Sequence, residues 1–215
     1  MSKTHNQPKP TTEKVAQTPP PTGLNLVGFP SAELVTGTSL WRAHRVTRSE
    51  WWFASAPGRF DLPEPRGTWY AADDTATAVR EHLRATLIAT GAVTARLAQS
   101  FHLTKVRLKQ RIKCAAVSDN NAAAWGITRE LVTMTDYQVT HEWAKAFAQA
   151  GFDGIRYGSR FTTGEPTAWA LFGDAGAPQT PPGQMNAHMT GLGACEDAGL
   201  RVLWTPRGAT ELDRI

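Results

Sequence analysis

The stretch from Gly58 to Glu81, GRFDLPEPRGTWYAADDTATAVRE, constrains the fold more than any other part of the chain, because it changes structural type twice. Three prolines and two glycines between Ser55 and Gly67 predict a long irregular loop, since proline withdraws a backbone donor and glycine opens the left-handed region. Thr68-Trp69-Tyr70-Ala71 follows as a short strand of β-branched and aromatic residues. Asp73-Asp74-Thr75 then supplies the side-chain oxygens that cap a helix running to Leu87. Val79, Leu83 and Leu87 fall at i, i+4 and i+8 and form its buried stripe, whereas Glu81 lies off that stripe beside Ala78 and Ala85. A loop, a strand and a helix are therefore expected to deliver Arg59, Tyr70 and Glu81 to one cleft.

The remaining elements form a scaffold around this block. Residues 1–22 carry proline, threonine and lysine with little to bury and read as a disordered arm, so the single folded domain is placed at residues 24–215. Leu40-Trp41-Arg42-Ala43-His44 alternates as a first strand, with Arg42 and His44 on one face. Thr104–Cys114 alternates most cleanly and predicts one strand, with Val106, Leu108 and Ile112 on one side and Lys105, Arg107, Lys109, Arg111 and Lys113 on the other. Helices are predicted over Trp125–Leu131 and over Thr140–Gly151, the latter with an apolar face of Trp143, Phe147 and Ala150 and with His141 and Glu142 as capping or dipole residues. Phe152–Tyr157 and Ala168–Phe172 read as strands. After Gly173 only Leu200–Trp204 is convincing. The fold class is α+β.

A length of 215 residues fits one domain, and a formal charge of +4 with pI ≈ 9.3 favours an anionic partner. Two cysteines make neither a disulfide framework nor a metal site, and the apolar runs are too short to span a bilayer. The expected setting is the cytoplasm, with export that uses no cleaved signal as the other route. The five cations of Thr104–Cys114 could meet nucleic acid, but no aromatics interleave with them, so a solvated outer face is preferred. No glycine-rich dinucleotide fingerprint and no phosphate-loop lysine motif occurs.

Three blocks stand in a set order: LWRAHR, then GRF with GTWYAADDTATAVRE, then GFDGIRYGS with AWALF. Over residues 38–173 this arrangement resembles the RES-domain family, toxins of bacterial toxin–antitoxin pairs. The resemblance implies a fold similar to ADP-ribosyltransferases, with mixed or antiparallel sheets forming a central cleft flanked by helices. It also implies consumption of NAD as substrate without a metal, and an antitoxin partner with a helix-turn-helix DNA-binding part. Carried over by position, Arg42, Arg59, Tyr70, Glu81 and Ser159 are the site: Glu81 beside the ribose, Tyr70 stacked on nicotinamide or ribose, Arg59 and Arg42 on the pyrophosphate, and Ser159 on phosphate or ribose. The segment 174–215 is then a variable extension, and Trp51-Trp52-Phe53 has no counterpart, being read as core packing in preference to antitoxin docking. Transfer of ADP-ribose to water or phosphate is the leading reaction, with a protein acceptor as the alternative.

Overall fold

A computed structural model describes residues 17–55 and 58–204. The strands are β1 (Ser31–Leu34), β2 (Ser39–Arg45), β3 (Arg66–Ala72), β4 (Val93–Thr94), β5 (Phe101–Leu108), β6 (Ile112–Ala116), β7 (Gly154–Gly158), β8 (Thr167–Asp174), β9 (Gly183–Thr190) and β10 (Val202–Leu203). The helices are α1 (Thr75–Leu83), α2 (Ala85–Thr90), α3 (Ala95–Ala98), α4 (Glu130–Thr133), α5 (Gln138–Gln149) and α6 (Gly191–Asp197), with a 3-10 turn at Asn120–Trp125. Eight strands form one sheet in the order β1-β6-β7-β8-β3-β2-β5-β9, and β4 pairs with β10 apart from it. Within the large sheet every pairing is antiparallel except β6 with β7, whose connection contains α5. The chain is an α+β protein with a large mixed sheet.

Two features of that sheet make the site. Strands β1 and β2 run against β6 and β5 as one bent ribbon, with Leu34 opposite Ile112 and Ser39 opposite Arg107 on either side of the corner. The ribbon folds the sheet back on itself, so that Leu34, Leu40, Trp69, Val106, Ile112 and Trp169 share one core. The second feature is a split. β3 pairs with β8 along its whole length, but β2 and β3 register only at Trp41 and Ala72, and beyond that point they diverge and leave a wedge between them. Outside the sheet, α5 packs Trp143 and Phe147 on one side, and α1 and α6 pack Val79, Leu83 and Ala194 on the other. Each large side chain so buried contributes about 1.5–3 kcal/mol.

Several expectations need correction. Thr104–Cys114 is two strands broken at Lys109–Arg111, because that segment is the ribbon corner. The five cations are consequently divided, Lys105 and Arg107 on one strand, Lys109 and Arg111 at the corner and Lys113 on the next strand, with Lys105 over the Trp41 ring, Lys113 over Phe152, and Arg111 paired with Glu33. Trp125–Leu131 is the end of a 3-10 turn followed by α4, since Gly126 takes a left-handed φ of 78°. Ala150 is exposed, and Ala144 takes its place on the buried face of α5. Residues 17–22 are part of the folded body: Gln17 is 1% exposed, and its side-chain oxygen accepts from Thr128 N at 2.7 Å. The rest of the arm, residues 1–16, lies outside the described residues. After Gly173 the chain forms β9 and α6, both unpredicted. β9 is exposed along most of its length and so lacks alternation, while Gly191 opens α6 because a Cβ there would come within 2.1 Å of Ala98 O. Trp51 and Phe53 are buried, as core packing requires, with Trp51 stacked on Trp69 at 5.4 Å. No helix of the described residues is long and apolar enough to cross a membrane.

Candidate active site

The divergence of β2 from β3 opens a cleft of ≈ 310 Å3. Arg42 and His44 come from β2, Tyr70 from β3, Glu81, His82 and Arg84 from α1 and its end, and Tyr157 from β7. A larger groove of ≈ 870 Å3 between residues 20–29 and α5 contains none of the sequence-predicted residues.

Glu81 sits on the turn of α1 that faces this cleft because the helix buries Val79 and Leu83 elsewhere. Asp74 starts the helix, accepting from Thr77 N at 2.8 Å and from Thr77 Oγ1 at 2.7 Å. The Glu81 Oε2 atom lies 3.5 Å from the Tyr157 hydroxyl, at the outer limit of a hydrogen bond, whereas buried Oε1 has no protein partner. Burial pushes the Glu81 carboxyl above the usual range, against the opposing pull of the Ser159 hydroxyl, Arg59 and Arg84. Burial holds Tyr157 neutral by raising it well above the ordinary phenol range.

Arg42 is the complementary group. Its guanidinium is buried, lies 5.1 Å above the Trp69 ring and donates one N–H to Trp52 O, while Nε and Nη1 have no partner. Burial pushes it down to about 9. His44 beside it donates from Nδ1 to Arg48 O at 3.0 Å, so its Nε2, 2.9 Å from Thr104 Oγ1, accepts from that hydroxyl. Desolvation lowers its basicity and keeps the ring neutral.

The loop carrying Arg59 is clamped group by group. Asp61 accepts from Gly58 N at 2.8 Å and from the Tyr70 hydroxyl at 2.7 Å, and that hydroxyl accepts from Phe60 N at 2.9 Å. His141 donates to Gly58 O at 2.8 Å, Thr68 donates to Phe60 O at 2.9 Å, and Thr140 donates to Arg59 O. Only glycine fits at 58, since a Cβ would lie 2.6 Å from Asp61 Oδ1 and 2.8 Å from the Tyr70 oxygen. Arg59 is turned inward: it donates to Met134 O at 2.6 Å, lies 4.9 Å from the Tyr137 ring and leaves Nη2 without a partner.

Arg42, Tyr70 and Glu81 therefore line one cleft. Arg59 and Ser159 stand behind it, within electrostatic or hydrogen-bonding influence of Glu81. The expected stacking role leaves the Tyr70 hydroxyl unaccounted for, because that hydroxyl holds the Arg59 loop. His141 belongs to the same clamp and does not act as a helix cap. Sequence reasoning also missed Tyr157, the penultimate residue of β7, whose available signal was its nearness in sequence to Ser159 just past the strand end. Asp61, His82 and Arg84 carried no comparable signal. Among the described residues, no group of three or more His, Cys, Asp or Glu is placed to hold a metal ion.

Residues 39–187 match the family model described as the RES domain. The chain belongs to the RES-domain family. The match runs past residue 173 into β9, so the family core extends further than the sequence blocks indicated. The fold is similar to a chain of the crystal structure of the M. tuberculosis MbcT-MbcA toxin-antitoxin complex, with a TM-score of 0.61, 12% identity, and coverage of 78% of this chain and 92% of that one. At that identity the likeness speaks for the fold alone. No curated protein sequence matches the chain.

Proposed function

We propose that this RES-domain protein is a toxin that cleaves the nicotinamide–ribose bond of NAD and passes the ADP-ribose part to water or inorganic phosphate. The observation that carries the reading is the pairing, in one cleft, of a buried carboxylate oxygen on Glu81 and two buried guanidinium nitrogens on Arg42, all without protein partners. Buried polar groups are ordinarily satisfied, so these atoms call for a ligand that brings both a polar cation-like centre and an anion. NAD brings both.

In the proposed reaction the electron pair of the scissile C–N bond leaves with nicotinamide, and C1′ of the ribose becomes oxocarbenium-like. Glu81 offsets that charge and orients the acceptor, whose oxygen forms the new bond to C1′ and releases a proton when water is the acceptor. Tyr157 and Ser159 steady the carboxylate, and Arg42 takes the diphosphate. Tyr70 contributes its ring to the cleft wall and its hydroxyl to the loop, and Arg59 supplies positive charge from behind Glu81. The similarity to a chain of a toxin-antitoxin complex supports a neutralising antitoxin partner, with a helix-turn-helix part as the finer expectation.

Incubating the protein with NAD, with and without phosphate, tests this directly. Nicotinamide should be released, and Glu81→Gln should lose most of the turnover while keeping the circular dichroism of the parent. Full turnover in that variant would remove Glu81 from the chemistry. Label from NAD appearing on protein would instead favour the protein-acceptor alternative.

A further inference from the structure

The helix that carries Glu81 ends in a conformation its sequence does not call for. Arg84 has φ 47° and ψ −131°, the only positive φ on a non-glycine residue among the described residues. Elsewhere the chain puts glycine at such positions, including Gly91, Gly126, Gly151 and Gly199 at the ends of other helices and turns. An L side chain is strained in this region and glycine is not. Strain kept where glycine would relieve it points to work for the side chain.

Local structure does not use that side chain fully. Arg84 Nε donates to Glu81 O at 3.3 Å, the residue provides no side-chain cap for α2, and it forms no salt bridge among the described residues. It is half-buried and lines the cleft. The cleft as a whole is cationic: Arg42, Arg45, Arg48 and Arg84 line it, against Glu81 as the one carboxylate. Of the arginines that line the cleft, Arg84 is the one whose charge reaches Glu81, Asp61 and Tyr157, joining Arg59 from behind at Glu81 and Tyr157, whereas Arg42 feels Glu50 and Arg48.

We propose that Arg84 is a substrate-binding residue that takes the phosphate group next to the reacting sugar, and that the strained turn exists to present it there. Which sugar reacts rests on the NAD reading; the phosphate site itself does not. A guanidinium one helical turn from the carboxylate can hold a phosphate with charge-assisted hydrogen bonds and so fix the sugar against Glu81.

The test uses the full chain with Arg84→Gly and Arg84→Lys. Without ligand, Arg84→Gly should melt at a higher temperature than the parent, because the strain is gone. Inorganic pyrophosphate should raise the melting temperature of the parent and of Arg84→Lys, and that of Arg84→Gly markedly less, since Arg42 still lines the cleft. With NAD, Arg84→Gly should raise KM about tenfold or more, as loss of one charge-assisted contact implies, with Arg84→Lys restoring part of it. Pyrophosphate protection of Arg84→Gly equal to that of the parent overturns the proposal. An unchanged KM for NAD, combined with lost saturation by inorganic phosphate, would place the phosphate on the acceptor and overturn its assignment to the dinucleotide. Should the parent release no nicotinamide at all, the NAD reading fails, while the pyrophosphate result still decides the role of Arg84.

Discussion

Replacing Tyr70 by phenylalanine separates two roles that its position makes possible. The ring, which lines the cleft, is unchanged, and only the hydroxyl disappears. That oxygen donates to Asp61 at 2.7 Å and accepts from Phe60 N at 2.9 Å. A hydrogen bond to a charged carboxylate contributes about 1.5–3 kcal/mol, and a buried amide left without a partner costs about 1–3 kcal/mol. The upper ends will not both be realised. Asp61 retains Gly58 N at 2.8 Å, and burial already pushes its carboxyl up, with the Tyr70 hydroxyl the first of the groups opposing this, so protonation relieves part of the loss. The expected destabilisation is about 3 kcal/mol. For a domain of this size that lowers the melting temperature by about 6–12 °C. Denaturant unfolding followed by tryptophan fluorescence measures the loss, and nicotinamide release from NAD measures its effect on the site. Turnover should fall because the loop that sets Arg59 behind Glu81 is loosened. A destabilisation below about 0.5 kcal/mol with full turnover would refute the clamp and leave Tyr70 as a stacking ring alone.

Two further outcomes follow from burial of unpartnered charge. The Glu81 carboxyl is raised by burial, so ionising it costs stability. That cost is absent below the unfolded value of about 4.3, grows as pH rises through the folded value, and is complete above it. Glu81→Gln should therefore melt higher than the parent at pH 7 and show no advantage near pH 4, while parent turnover rises with pH through a value above the ordinary glutamate range; differential scanning fluorimetry and initial rates check the two halves. Arg42→Met replaces a buried guanidinium having two unpartnered nitrogens with an apolar chain. It should stabilise the fold at neutral pH by about 1 kcal/mol or more and abolish binding of NAD, measured by calorimetry.

The local elements were legible wherever one face of a segment is buried against another. Trp143 and Phe147 on α5, and the alternation on either side of the ribbon corner, put hydrophobic period and geometry in agreement. Legibility failed where stability comes from backbone pairing or from contacts remote in sequence. β9 has almost no buried face, so its pairing with β5 left no pattern to read. The corner at Lys109–Arg111 preserves the alternation across a change of partner strand, so period alone cannot show it.

The site divides in the same way. From the sequence alone came the placement of Arg59, Tyr70 and Glu81 on a loop, a strand and a helix, with Glu81 off the buried stripe; capping oxygens and hydrophobic spacing act within a few residues and need no tertiary partner. Three-dimensional structure alone decided which of these side chains line the cleft. The split between β2 and β3 exposes Arg42 and Glu81 to one cleft, whereas Met134, Thr140 and His141, all brought in by the connection between β6 and β7, turn Arg59 inward. The strained turn at Arg84 was likewise invisible, because a sequence records the residue and not its φ. Side-chain chemistry is written residue by residue, but which polar atoms remain without partners depends on the whole packed chain.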